Sequence, residues 1–427
     1  MKFNSTDVKV ARDMDTSDAL ARFRNEFYIS DADMIYLDGN SLGRLPKESI
    51  NLINQAVKKE WGERLIRSWN EGWIEASARI GGKLAGLIGA KPDEVIVTDA
   101  TSLNLFKLAV AALKHNSART KIVSDDLNFP SDLYVMQGII DMLGNRHEIC
   151  LASSRDGIIT EAASIESLLD NNTALLTLTH TCFKSAYVHD MRWLTQSAHD
   201  RGALALWDLS HSVGSVEVDL NGCDADLAVG CTYKYLNGGP GAPAFLFVRK
   251  ELQEKLRQPI RGWLGSSDPF AFDLDFTAAT GMQKFQVGTP PVLSLLAIEP
   301  GLDLHLEAGM SNLRKKSVQM TEYLIYLFDQ WLVPLGFELG SPRNPDIRGS
   351  HVSVRHPEAY RINRAMIGAE PPDIKIIPDF RTPDNIRLGI APIYTSFEEI
   401  YLAIQRIKEI VENKEYEQFS DERSLVT

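Results

Sequence analysis

Cys231-Thr232-Tyr233-Lys234-Tyr235-Leu236-Asn237-Gly238-Gly239-Pro240-Gly241 sets a lysine between two tyrosines, after the mostly apolar run Leu227-Ala228-Val229-Gly230 and before a turn too rich in glycine to be helix or strand. A lysine normally lies on a solvated face, yet its pKa shifts readily on burial, and buried lysines serve as Schiff-base formers. Lys234 is therefore a candidate covalent anchor for an aldehyde cofactor. Outward from it, short apolar segments recur: Glu94 to Thr98, Thr120 to Val123, Thr173 to Thr179, Gly202 to Trp207 and Ala244 to Val248. They alternate with helical stretches such as Trp193 to Arg201. That rhythm predicts crossover units and a largely parallel α/β sheet with both faces covered.

The chain has 427 residues, 44% hydrophobic and 24% charged, which suits a globular protein with a large core and more than one domain. Its formal net charge of -12 argues against nucleic acid or an anionic membrane surface as a partner. No run approaches the roughly eighteen apolar residues of a membrane span, and the opening residues lead into charges rather than an apolar leader, so a cytoplasmic protein is expected. The four cysteines, Cys150, Cys182, Cys223 and Cys231, show no C-x-x-C spacing and read as structural thiols.

Several loops stand out along the chain. Met34-Ile35-Tyr36-Leu37 runs into Asp38-Gly39-Asn40-Ser41-Leu42-Gly43, a strand followed by a tight, exposed loop of the kind that carries function. Lys47 to Leu87 has helical spacing, in which Trp69 and Trp73 would share a face, as helix packing or as a ligand wall. The strand before Asp99-Ala100-Thr101-Ser102 and the apolar helix after it make an anion site out of unpartnered backbone N–H groups, unless Thr101 or Ser102 simply caps the helix. A long helical region is expected from Val292 through Phe328, strands at Gly349 to Val354 and Ile374 to Asp379, and a last helix opened by the capping box Ser396-Phe397-Glu398-Glu399. Ile400, Ile404, Ile407 and Val411 would share one face of it.

In parallel α/β sheets ligands bind beyond the carboxyl ends of the strands. Asp208 stands at such an end and Lys234 follows the next strand. Together they suit one kind of chemistry, in which a carboxylate keeps a pyridine nitrogen protonated while an amine holds the aldehyde. His211 would face the same ligand. Each residue taken singly has a structural account, Asp208 as a helix cap, His211 as a core histidine and Lys234 as cover for a turn.

The segments Asp208-Leu209-Ser210-His211-Ser212-Val213-Gly214 and Cys231 to Gly241 resemble those of the kynureninases, pyridoxal-phosphate enzymes of the aspartate aminotransferase fold. The resemblance runs from Leu37-Asp38-Gly39-Asn40-Ser41-Leu42-Gly43 to Ile386-Arg387-Leu388-Gly389 and beyond. It implies a mainly parallel seven-stranded sheet sandwiched by helices over residues 48–300, and a smaller α+β domain made of residues 1–47 and 301–427. It implies Lys234 as cofactor anchor, Asp208 as partner of the pyridinium nitrogen with His211 beside it, and Phe129 stacked on the ring, with Pro130, Ser131 and Asp132 completing that loop. Thr101 and Ser102 match phosphate-binding positions, Thr179 a further cofactor contact, and Tyr233 a phosphate ligand that assists proton transfer. Trp263 and Thr289 match positions that reach the cofactor phosphate of a neighbouring subunit, so a homodimer with shared sites is implied. Arg387 matches the clamp for the substrate α-carboxylate, a role for a planar bidentate donor, and Trp69 and Asn40 match the substrate side.

The implied reaction is hydrolysis of L-kynurenine to anthranilate and L-alanine. Trp69, Gly288 and Thr289 resemble the bacterial pattern that prefers kynurenine over its 3-hydroxy form. One departure is visible: Phe183-Lys184-Ser185-Ala186 ends in alanine where the family usually has glycine, so a positive φ there would strain the loop. The rival readings are a cysteine desulfurase or small-substrate aminotransferase of the same fold, and a non-catalytic ligand-binding protein. A desulfurase needs a mobile nucleophilic cysteine, and none follows residue 231.

Overall fold

The structure, a computed structural model, describes residues 3–31, 33–369 and 373–422. Its main sheet is built from β1 (Val95–Val97), β2 (Lys121–Asp125), β3 (Glu148–Ala152), β4 (Thr173–Thr179), β5 (Leu204–Asp208), β6 (Leu227–Gly230) and β7 (Phe245–Val248). The strand order is β1-β7-β6-β5-β4-β2-β3. The pairs from β3 across to β6 are parallel, whereas β7 runs antiparallel to both β6 and β1. Every residue of β4, β6 and β7 is buried, because helices cover both faces. For that reason these strands read as unbroken apolar runs. The edge strand β3, which was not expected from sequence, has the short apolar run Ile149-Cys150-Leu151-Ala152 but exposed and half-buried positions along it.

A second, antiparallel sheet has the order Asp379–Arg381, Asn385–Gly389, His351–Arg355, Glu338–Leu339. Its apolar residues share a core with helices Met310–Trp331, Ala359–Ile367 and Phe397–Glu412. Met34–Tyr36 pairs in parallel with Lys375–Ile377 as a separate two-stranded ribbon. The capping box forms as expected, with Glu399 N donating to Ser396 Oγ at 3.1 Å and Ser396 N to a Glu399 carboxylate oxygen at 2.9 Å. Ile400, Ile404 and Ile407 are fully buried, but Ile410 rather than Val411 completes the buried face.

Three expectations change. The helical region after Val292 is three helices, Val292–Leu296, Glu299–Ala308 and Met310–Trp331, and Gly309 at φ +78° makes the last break. Trp69 and Trp73 do not share one helix: Trp69 ends a 3-10 turn and Trp73 opens helix Trp73–Ala85, although their rings meet edge to face at 5.8 Å. The loop after Tyr36 is only partly exposed: Gly39 and Asn40 are buried, while Leu42 is 37% exposed. Among the described residues no helix is long and apolar enough to cross a membrane.

Ala186 adopts φ +64°, the left-handed conformation suspected from its place in a glycine position. Its N–H donates to the Cys182 carbonyl at 2.9 Å and its carbonyl accepts from Gly349 N at 2.7 Å, so the turn is fixed on both sides. A left-handed alanine costs about 1 kcal/mol relative to a strain-free residue. Ala186→Gly is expected to raise the urea midpoint by an amount equivalent to up to about 1 kcal/mol, with unchanged slope. A lower midpoint would mean that the buried methyl group matters more than the strain.

Candidate active site

Strand ends and helix starts converge on a cavity of about 250 Å³. Thr179 and Asp208 are register partners at the carboxyl ends of β4 and β5. Asp208 lines the cavity and is 4% exposed. Both hydrogen bonds that its side chain receives, from Ser210 N at 2.8 Å and Ser210 Oγ at 2.6 Å, fall on Oδ1. Burial raises its pKa, against the pull of the Ser210 hydrogen bonds and the charge of Lys234. Asp208 therefore folds into a turn with Ser210 and does not cap a helix.

Lys234 lies in the irregular chain after β6. Its Nζ is 2.9 Å from His211 Nε2 and 5.9 Å from the centre of the Phe129 ring. Burial, then the charge of Lys234, holds His211 well below the ordinary histidine range, so its neutral ring accepts a hydrogen bond from the amine. Its other nitrogen, Nδ1, is buried without a partner among the described residues, as is Thr179 Oγ1. Tyr233 is half-buried on the same wall, and the neighbouring Cys231 thiol together with burial raises its hydroxyl.

Two helices point their N-termini at the cavity. Helix Thr101–His115 has Ala100 at its cap with no side-chain hydrogen bond, so neither Thr101 nor Ser102 caps it and its first N–H groups stay available. Helix Pro130–Met142 starts after Phe129, with Pro130 in its first turn. Ser102 Oγ and Ser131 Oγ, one from each helix, are 3.2 Å apart. Asp132 is 3% exposed, and burial followed by the nearby charge of Asp208 lifts its carboxyl well above the usual range.

The backbone around Lys234 is locked by two close approaches. Gly43 N donates to the Tyr233 carbonyl at 2.8 Å, and a Cβ at Gly43 would lie 2.3 Å from the Lys234 carbonyl oxygen. From the other side, a Cβ at Gly301 would lie 2.2 Å from the Leu236 carbonyl oxygen. In the glycine turn itself, Gly239 and Gly241 have φ +91° and +72° with open space around them and supply backbone conformation, whereas a Cβ at Gly238 would lie 2.9 Å from the Thr232 carbonyl oxygen.

Of the residues expected from sequence, Asn40, Thr101, Ser102, Phe129, Ser131, Asp132, Asp208, His211, Tyr233, Lys234 and Arg387 line this one cavity. Asn40 is fully buried, and both polar atoms of its side chain lack partners among the described residues. Pro130 and Thr179 stand behind the lining, while Trp69, Trp263 and Thr289 do not line it. Trp263 is 40% exposed and packs edge to face on Phe270 at 5.9 Å, and Thr289 is exposed. Ser41, Phe183, Ser210 and Arg381 also line the cavity and were not expected there. Ser41 and Ser210 lie beside residues that were expected, so adjacency was the available signal. Arg381 reaches the cavity through the pairing of Asp379–Arg381 with Asn385–Gly389, which pattern alone does not reveal.

The chain is 42% identical to the kynureninase of Pseudomonas fluorescens over 410 residues, 95% of each chain, and 42% identical to that of Burkholderia mallei over 406 residues, 94% of each. It belongs to the kynureninase family. The family model for the kynureninase C-terminal domain matches residues 313–407, and that for class-V aminotransferases matches residues 35–358. Solved structures of similar fold include a cysteine desulfurase from Thermococcus onnurineus, with TM-score 0.76 at 20% identity over 92% of this chain and 98% of that one. The desulfurase CsdA from Escherichia coli gives TM-score 0.76 at 15% identity, covering 92% of this chain and 98% of its own. At such identities they share the fold alone. Kynureninases use pyridoxal 5′-phosphate, as the class-V aminotransferase fold does.

In this member of the kynureninase family, Gly43→Ala is expected to push the Asp38–Gly43 loop off the Lys234 turn, because the atoms that the new methyl group meets are backbone or pinned side chain. Activity should fall at least about tenfold, since small misplacements of reacting groups cost that much or more. Wild-type activity in the purified variant would show that the loop does not position the lysine.

Proposed function

We propose that this cavity holds pyridoxal 5′-phosphate and that the protein hydrolyses L-kynurenine, with 3-hydroxy-L-kynurenine as a second substrate, to anthranilate and L-alanine. The observation that carries the reading is the meeting of Lys234, Asp208 and Arg387 on one cavity in a chain of this family. The donor set suits the cofactor. Lys234 would be the anchor, Phe129 the ring's stacking partner and Asp208, whose hydrogen bonds from Ser210 both fall on Oδ1, the partner of its ring nitrogen through Oδ2. The uncapped N–H groups at Thr101 and Ser102, with Ser131 and Tyr233, suit a phosphate. The unpartnered Thr179 Oγ1 and His211 Nδ1 are available to the same ligand.

When bound, pyridoxal phosphate supplies an aldehyde for the substrate amine and an electron sink for its α-carbon. Lys234, released from anchoring, takes the α-proton. His211 keeps the amine in place by accepting its hydrogen bond. Arg387 orients the substrate through its α-carboxylate. Tyr233, whose hydroxyl is held protonated, acts as the acid-base group while water adds to the side-chain carbonyl and the Cβ–Cγ bond breaks. Lys234 returns the proton that completes alanine, so one water is consumed and the atoms balance.

Residues 48–300 are read as the unit that carries the cofactor, and residues 1–47 with 301–427 as the unit that brings Arg387. Trp263 and Thr289, which do not line the cavity of their own chain, are read as contributors to the cofactor phosphate in a second copy. The protein would then be a cytoplasmic homodimer acting in tryptophan catabolism, on the kynurenine pathway towards NAD. A desulfurase is disfavoured because Cys182 and Cys231 are buried, and burial raises both thiols instead of producing a thiolate.

Mixing the purified protein with L-kynurenine should release anthranilate, read by its fluorescence, together with equimolar alanine. Accumulation of a keto acid without anthranilate would overturn the reading in favour of an aminotransferase. For the shared site, Lys234→Ala and Trp263→Ala chains, each impaired alone, should recover activity when refolded together, because a mixed dimer regains one unaltered site. Mixtures no more active than the separate variants would place Trp263 outside the partner's site.

A further inference from the structure

Arg387 is engaged more fully than a free carboxylate clamp should be. Its Nη1 donates to the Phe183 carbonyl at 2.6 Å, and its Nη2 donates to Ser41 Oγ at 3.1 Å and to Asp379 Oδ2. A guanidinium can grip a carboxylate with two parallel N–H bonds along its side or its end, and both edges use Nη2, the nitrogen trans to Cδ. With both Nη2 hydrogens taken, Arg387 can offer a ligand only single bonds. Asp379 therefore occupies the place of the ligand's carboxylate.

The same Asp379 oxygen is 3.0 Å from Arg381 Nη2. Asp379 and Arg387 face each other across paired strands and are 4% and 1% exposed, whereas the Arg381 side chain is 40% exposed and also lines the cavity. Arg381 Nη1 makes a longer donation, at 3.3 Å, to the carbonyl of its neighbour Phe380. Asp38 lies in the field of all three groups, so two carboxyl groups gather behind the two cations that line the cavity. A buried carboxylate cannot leave Arg387 without a second cation to take it.

We propose that Arg381 is a positioning residue that draws Asp379 off Arg387 when a carboxylate ligand docks, freeing the paired N–H edge of Arg387. The proposal rests on the reading of Arg387 as the α-carboxylate clamp. Asp379 then acts as a resident stand-in for the ligand, and Arg381 sets how readily it is displaced. Ligands without a carboxylate gain nothing from the exchange.

The test is equilibrium titration of the cofactor-loaded protein with L-alanine and with L-alaninamide, followed by the cofactor's absorbance. Arg381→Gln is expected to weaken L-alanine about tenfold, the worth of one charged hydrogen bond, and to leave L-alaninamide within about twofold. Adding Asp379→Asn, which removes the stand-in, should restore L-alanine binding towards the wild-type value. Unchanged L-alanine affinity in Arg381→Gln, equal losses for acid and amide, or a folded double variant no better than the single one would each overturn the proposal. If the double variant does not fold, the acid-to-amide comparison decides. Neither probe is kynurenine, so failure to form anthranilate would remove the assigned reaction and leave this test standing.

Discussion

Gly43 N donates to the Tyr233 carbonyl, and from the opposite side Gly301 abuts the Leu236 carbonyl. Neither position has room for a side chain, so the turn that carries Lys234 is held between backbone from both ends of the sequence. A lysine on irregular chain would otherwise be free to reorient, and its amine would wander over the cavity. Held this way, its Nζ rests on the His211 ring and beneath the face of Phe129. The loop that brings Asn40 and Ser41 to the cavity is the same loop that presses Gly43 onto the lysine, so the substrate side and the anchor are mechanically one unit.

The charges around that unit are arranged by burial. Asp208 and Asp132 are both nearly buried and both raised, Asp132 partly by the charge of Asp208. His211 and His351 are both held well below the ordinary histidine range, by burial first and then by the charges of Lys234 and Arg387, and their ring centres lie 5.8 Å apart. Neutral imidazoles can sit beside those cations, where protonated ones would repel both.

Much of the site was legible because chemistry-bearing residues stand at strand ends, and strand ends can be read. Asp208 and Lys234 follow apolar runs, and the parallel alternation places such residues along one edge of the sheet. Ala186 was legible for a different reason, since a single glycine position implies a backbone angle. What could not be read was pairing between distant segments. Arg381 reaches the cavity, and Asp379 reaches Arg387, only because Asp379–Arg381 lies antiparallel to Asn385–Gly389, and no local pattern states which strands pair. Trp69 and Trp73 misled in the opposite sense. Their spacing fits one helix, but the chain breaks between them and the rings meet across the break. The loop at Asn40 looked exposed because it is polar and glycine-rich, yet its glycines are there for close approach.

The large sheet also does not distinguish this protein from desulfurases of the same fold. The similar structures share the sheet and its helices, and a fold hosts many reactions. The distinguishing groups come from outside that sheet: Asn40 and Ser41 from the N-terminal loop, and Asp379, Arg381 and Arg387 from the small antiparallel sheet. In the proposed arrangement they bind no cofactor atom, and Arg387 and Asn40 would hold the substrate over the lysine. In the proposed arrangement a carboxylate gripped at Arg387 sets how the α-carbon is turned towards Lys234, and because the carboxylate is bonded to that carbon this holds whatever the ligand's length. Recognition of an amino acid therefore depends on the carboxylate wall, and the displacement of Asp379 is the step at which a ligand with a carboxylate is told from one without.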